Sequence, residues 1–401
     1  MDPISSEYIR LSHAINRHVD GFIDAYFGPP ELAVSGETVD PKTILSRVQQ
    51  LRDQVRSWAD EQRGDEQAQR RASYLDIQSH AMETVARKLC GQPVSFRDET
   101  RGCFDVDPQY TPDDQFEAAM NQLDQVLPGA GSVHERLQAW KKRFEVSNDI
   151  GRAMIDRIAD ESRRRTRNLV DLPSNESCEF QLVSDKPWGG YNWYLGNGKS
   201  RVDINTDTPI RADRLRDLVC HEAYAGHHTE HACKEQRLYL ERGWGEQSIQ
   251  LLLAPECVIS EGIARLAEEM TFGDEGDHWT ASELFPMAKI ECDIDLLQRI
   301  EQASQRLGKL GQNAALMLHE QNKSPDEVLQ YLMRFGRSES EARRSLRFIS
   351  SPIFRAYTFT YEAGKELLET WMNQADRTDR FRIALTEQVY PSLIAGWTAQ
   401  A

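Results

Sequence analysis

Cysteine is sparse in this chain of 401 residues: seven, an odd and scattered set at Cys90, Cys103, Cys178, Cys220, Cys233, Cys257 and Cys292. With no C-x-x-C pair among them, a disulfide framework is excluded, and the pattern fits small core thiols in a reducing compartment. No apolar run approaches the roughly 18 residues that a membrane span needs, and no basic segment followed by an apolar one opens the sequence. The expected location is the cytoplasm, with no membrane partner. Positive charge is short as well. Lys and Arg number 48 against 64 Asp and Glu, a formal net charge of −16, which disfavours broad attraction to nucleic acid. Internal repeats and low-complexity tracts are missing, and β-favouring segments are confined to one region.

What is present is a mainly α pattern with enough aromatic mass, 14 Phe, 12 Tyr and 8 Trp, for a large core. The length exceeds the ~250–300 residues at which single cores stop growing, so two regions are expected, 1–170 and 171–401, or one continuous helical body with a central cleft. Helical spacing over 4–26 stops at Gly28-Pro29-Pro30, and further helices are expected near 41–60, 66–90, 113–126 and 132–168. The Arg-rich stretch 161–167 reads as a solvated helix face. Between 172 and 209 the segments 180–183, 191–195 and 201–204 favour strands, and Gly196-Asn197-Gly198 signals a hairpin between the last two. Helical periodicity returns after Ala212, with a capping-box start at Ser324-Pro325-Asp326-Glu327.

Four of the ten histidines fall within eleven residues, in Cys220-His221-Glu222-Ala223-Tyr224-Ala225-Gly226-His227-His228-Thr229-Glu230-His231. Imidazole offers a neutral nitrogen lone pair at pH 7, and a Glu beside the first His is placed to act as a base on water. This points to a zinc hydrolase. The dipeptide alone means little, since His134-Glu135 and His319-Glu320 have no second His after them. In H-E-x-x-H the two His lie four apart, about 40° on a helix; here position 225 is Ala. On an unbroken helix His228 would sit about 20° from His221 but ~10 Å along the axis, and His227 about 120° away. Gly226 is a plausible break, and geometry alone leaves the second ligand open.

The segment from His221 to His228 resembles the H-E-x-x-P-G-H signature of the domain-of-unknown-function 885 proteins, relatives of the gluzincin metallopeptidases, with Ala225 in place of the Pro. Glu261-Gly262-Ile263-Ala264-Arg265-Leu266-Ala267-Glu268-Glu269 is similar to that family's E-G-W-A-x-x-A-E element, and Tyr361-Glu362-Ala363-Gly364 to its Y-x-x-G segment. The stretch from Asp20 to Pro30 is similar to actinobacterial members. The resemblance implies a multi-helix gluzincin-like architecture with a small β-hairpin beside the metal-binding helix. It implies Zn2+ held by His221, His227 and Glu261, with His228 as the alternative second histidine. Glu222 would be the general base, and Tyr361 the donor to the oxyanion. The expected partner is a peptide or small amide, cleaved as a short peptide or at a chain end. The strand 201–204 is expected to offer its edge to an extended substrate, with Trp188, Tyr191, Trp193 and Tyr194 walling the cleft. A helical scaffold with a vestigial metal site is the competing reading. A di-iron carboxylate protein is disfavoured, since Glu-x-x-His spacing occurs only at Glu275-Gly276-Asp277-His278.

Overall fold

The computed structural model describes residues 1–33, 38–186 and 188–400. Several of its helices begin where side chains satisfy free backbone N–H groups. Asp40 accepts from Lys42 and Thr43 to open Pro41–Glu61, which buries Ile44, Val48, Leu51 and Val55 at helical spacing against Glu66–Leu89. Ser324 and Glu327 form the capping box that starts Pro325–Arg334. Glu161 pairs with Arg164 and Arg165 on the surface of Asn148–Thr166. The fold is mainly helical with small sheets, as the patterning implies. No helix among the described residues is long and apolar enough to cross a membrane.

Seven short strands occur among the described residues: β1 (Ile23–Tyr26), β2 (Glu145–Val146), β3 (Ser177–Val183), β4 (Gly190–Gly196), β5 (Lys199–Asn205), β6 (Ile210–Arg211) and β7 (Ile249–Leu251). The hairpin expected at Gly196-Asn197-Gly198 joins β4 to β5, with Asn197 and Gly198 at φ 56° and 67° as a primed turn requires. Glu235 accepts from both turn N–H groups at 2.8 Å and so ties the hairpin tip to the helical layer.

Three expectations are corrected. The helix over 4–26 ends at Asn16, whose side chain accepts from the Ile23 N–H, and the chain then enters β1, which pairs with β7. The single helix over 132–168 is two, Val133–Lys142 and Asn148–Thr166. Between them Phe144 turns into the core and β2 pairs with β6, before Ser147 caps the second helix. Strand β5 offers no free edge, because it lies between β3, parallel, and β4, antiparallel; the edge strands are β3 and β4, and β4 is the one that borders the cavity. A helix at Phe96–Phe104 lies outside the expected set.

The main hydrophobic clusters draw residues from both sides of position 170. Tyr8, Phe22 and Leu51 pack in the same cluster as Val258, Leu332 and Phe359, and Ile155 and Ile158 with Val219 and Phe285. The helix Glu256–Phe272 lies alongside Thr360–Met372. Where they cross, a methyl group on Gly364 would stand 2.0 Å from the Val258 carbonyl oxygen and 2.8 Å from the Gly262 nitrogen. Only two glycines allow the backbones to meet this way. They belong to the two downstream segments, Glu261-Gly262 and Tyr361-Glu362-Ala363-Gly364, and so hold Glu261 and Tyr361 over the same cavity.

Candidate metal centre

The first histidine helix, Leu215–Glu222, stops at Ala223, and a second, His227–Lys234, starts four residues later. Between them the Tyr224–Ala225 peptide bond is cis. The chain doubles back so tightly that a methyl group on Gly226 would lie 1.9 Å from the His221 carbonyl oxygen. Thr229 bridges the break, its N–H and hydroxyl both donating to the Ala223 carbonyl. This fold-back answers the spacing problem: His221 and His227 end with ring centroids 4.8 Å apart at 90°.

Glu261 completes the group. Its Oε2 lies 3.4 Å from His221 Nε2 and its Oε1 3.9 Å from His227 Nε2. One donor atom from each of the three residues lies within 4.8 Å of the other two. Oε1 accepts from the Tyr357 hydroxyl at 2.7 Å, whereas Oε2 is buried with no hydrogen-bond partner. His227 Nδ1 is engaged by the Ser260 hydroxyl at 2.9 Å, which leaves Nε2 directed at Glu261. His231 stacks on His227 at 6.0 Å, and its Nδ1 meets Gln250 Nε2 at 2.6 Å.

His228 is not beside this group. It is fully buried, with Nδ1 on the Ser200 hydroxyl at 2.8 Å and Nε2 on Glu176 Oε2 at 3.1 Å. The same carboxylate oxygen receives the Tyr224 hydroxyl, and Arg163 pairs with Oε1. The alternative second histidine thus lies outside the group: with both nitrogens engaged, His228 pins the fold-back to the sheet.

Glu222 lines the cavity next to the triad. Asn192 Nδ2 donates to its backbone carbonyl at 2.7 Å, and a methyl group on Gly190 would come within 2.8 Å of its Oε1, so β4 runs hard against it. Burial pushes the Glu222 carboxyl up to about 7; Glu261 and Asp24 add to the rise and His221 opposes it. A carboxylate titrating there is matched to proton transfer near neutral pH. Burial opposes the charge on His221, but the facing Glu261, with Glu222 and Asp217, outweighs it and raises the imidazole to about 9. Burial lowers His227 to about 4, keeping it neutral. Burial raises the Tyr361 hydroxyl well above its ordinary value, so it stays a donor. Its ring stacks near His221 with centroids 6.5 Å apart.

Of the four aromatics expected to wall the cleft, Trp188 and Tyr191 do so. Trp193 instead donates to Asp203, and Tyr194 is buried behind the strand with its hydroxyl on Glu235. Tyr357 and Asp24 are among the cavity residues that escaped the sequence reading. Tyr357 lies one helical turn before Tyr361, and that i, i+4 spacing is the signal that could have found it. Asp24 lies on β1 and accepts from the Tyr191 hydroxyl.

No family model matches the chain, and no curated protein sequence does. Among solved structures the fold is similar to the crystal structure of the putative lipoprotein from Colwellia psychrerythraea, at 14% identity and a TM-score of 0.54, over 90% of this chain and 70% of that one. At that identity the likeness concerns the fold alone.

Proposed function

We propose that the chain is a zinc-dependent hydrolase that cleaves peptide or other amide bonds, in keeping with its resemblance to the domain-of-unknown-function 885 family. The observation that carries this reading is the convergence of His221, His227 and Glu261, with Glu222 beside them in one cavity. Two imidazoles and one carboxylate are a donor set that zinc accepts, leaving a coordination position open. Tetrahedral zinc with bonds of about 2.0–2.1 Å holds its donors roughly 3.3 Å apart. One donor atom from each residue lies within 4.8 Å of the other two, a looser triangle than that spacing, and Glu261 Oε2, buried without a hydrogen bond 3.4 Å from His221 Nε2, is an acceptor that a cation would satisfy.

When bound, the ion supplies Lewis acidity, making water more acidic and the amide carbonyl more electrophilic. The chain's own groups do the rest. Glu222 takes the proton from the attacking water and passes it to the leaving nitrogen, a role suited to a carboxyl held near 7. Tyr361 donates its hydroxyl to the oxygen that gains negative charge. The free edge of β4, at Gly190 and Tyr191, lies along the cavity and offers backbone groups to an extended substrate.

The test is metal content after purification without chelators, expected at about one zinc per chain, followed by Glu222→Gln. That variant should keep the zinc and lose hydrolysis of a peptide library. Two irons per chain, no stoichiometric metal, or a variant that cleaves at the parent rate would overturn the proposal.

A further inference from the structure

Five carboxylates line the cavity, Asp24, Glu222, Glu230, Glu256 and Glu261, and the one Lys or Arg among its described lining residues is Lys234. Glu230 already pairs with that ammonium at 2.6 Å. Even with a divalent ion at the triad, carboxylates remain in excess. A substrate carboxylate would enter against like charge and, away from the triad, find no unpaired Lys or Arg among the described lining residues, which disfavours recognition of a carboxyl end.

The excess is concentrated near the reacting groups. Asp24 on β1 faces β4, where its Oδ1 accepts from Tyr191, and it lies within electrostatic reach of both Glu222 and Glu261. Next to Tyr191 stands Asn192. Its Nδ2 is spent on the Glu222 carbonyl, while its Oδ1 is buried without a hydrogen-bond partner. Asn192 is 7% exposed and lines the cavity, so a residue of the cavity wall carries a buried orphaned acceptor, independent of the charge count. A second is Glu230 Oε2, from a residue 2% exposed. Acceptors without donors, in a chamber of excess negative charge, describe a receptor for a group that brings both protons and positive charge.

We propose that the cavity selects substrates carrying a primary ammonium group, received by Asp24 and the Asn192 amide oxygen. The amide-hydrolase reading is assumed for the chemistry after binding, and the ammonium site gives that reading a substrate class. The free amino end of a short peptide is one source of the ammonium and a lysine side chain the other. Burial, aided by the charge on Glu261, raises Asp24 to about 6 against the Tyr191 hydrogen bond; a cation beside it would offset that cost.

The experiment is calorimetric binding to the Glu222→Gln protein, in which turnover is blocked, with three probes: trialanine amide, its N-acetyl derivative, and N-acetyl-Lys-Ala-Ala amide. A charge-assisted contact should make at least one ammonium carrier bind roughly 10-fold or more tighter than the fully capped peptide. Preference for trialanine amide assigns the amino end, and preference for the lysine peptide assigns the side chain. Asp24→Asn, added to the same protein, should erase the difference between the ammonium carriers and the capped peptide. Equal affinities, no binding by any probe, or a preference that survives Asp24→Asn would overturn the proposal. If the preference appears and the parent protein cleaves none of these peptides, the hydrolase reading falls and the ammonium site stands.

Discussion

Tyr357 donates its hydroxyl to Glu261 Oε1 at 2.7 Å, the same oxygen that lies 3.9 Å from His227 Nε2. Burial works against the charge on Glu261, but His221, His227 and this hydroxyl hold its carboxyl below the usual range. Groups that orient a ligand change metal affinity by about 10–100-fold. Tyr357→Phe should therefore weaken zinc by that amount in a chelator competition while leaving one zinc per chain at saturation. An unchanged affinity would mean that the contact does not orient Glu261.

The histidines make separable predictions. His227→Ala removes a donor atom and should abolish stoichiometric zinc. His228→Ala should leave zinc in place but strand Ser200 and part of Glu176 inside the core, at a cost of roughly 1–3 kcal/mol. Metal analysis and urea denaturation of the two variants read the difference. Loss of zinc from a folded His228→Ala protein would reverse the assignment.

How much of this was legible in the sequence depended on whether a residue acts through its neighbours in the chain or through the fold. His221, Glu222 and His227 share one short segment, and their grouping is visible there. Which histidine turns inward was not visible, because it depends on Gly226 folding back over the His221 carbonyl. Glu261 and Tyr361 were found through segments that also carry Gly262 and Gly364, and the structure gives the physical reason those glycines accompany them. Asp24 and Asn192 line one cavity only because the tertiary fold brings β1 and β4 together; neither sits in a local pattern that distinguishes it from any polar strand residue. Helix existence was mostly readable from periodicity. The strand at Glu145–Val146 was not, since two residues carry no period and the pairing with Ile210–Arg211 is long-range.

Acid should weaken the fold through Glu83. Burial pushes this carboxyl up, but hydrogen bonds from Arg52, Gln49 and Arg87 outweigh it and hold the group at about 2, against an ordinary 4.5. A folded-state pKa below the unfolded one means stability that is complete above about 4.5 and lost as pH falls toward 2. Glu83→Gln should cost on the order of 2 kcal/mol at pH 7. The gap between parent and variant should close as the denaturation series descends from pH 4.5 to 2. A gap independent of pH across that range would show that packing, rather than ionisation, explains the loss.

Two glycine-to-alanine changes, each inside a helix, should have opposite signs. At Gly396, in Pro391–Gln400, a methyl group meets nothing within 4 Å, so Gly396→Ala should be neutral or add up to about 1 kcal/mol by restricting the unfolded chain. At Gly364 the same methyl group would stand 2.0 Å from the Val258 carbonyl oxygen and 2.8 Å from the Gly262 nitrogen, both backbone atoms that cannot rotate aside. Gly364→Ala must therefore separate Glu256–Phe272 from Thr360–Met372, at a cost of about 1–3 kcal/mol or more. Because Glu261 rides on the first helix, and Tyr361 on the second with Tyr357 just before it, the separation should stretch the Tyr357–Glu261 hydrogen bond and lower zinc affinity as well as stability. Thermal melts and zinc competition on both variants test the pair. A Gly364→Ala protein that melts with the parent and holds zinc as tightly would show that the helix contact neither sets the spacing of the site nor needs its glycines.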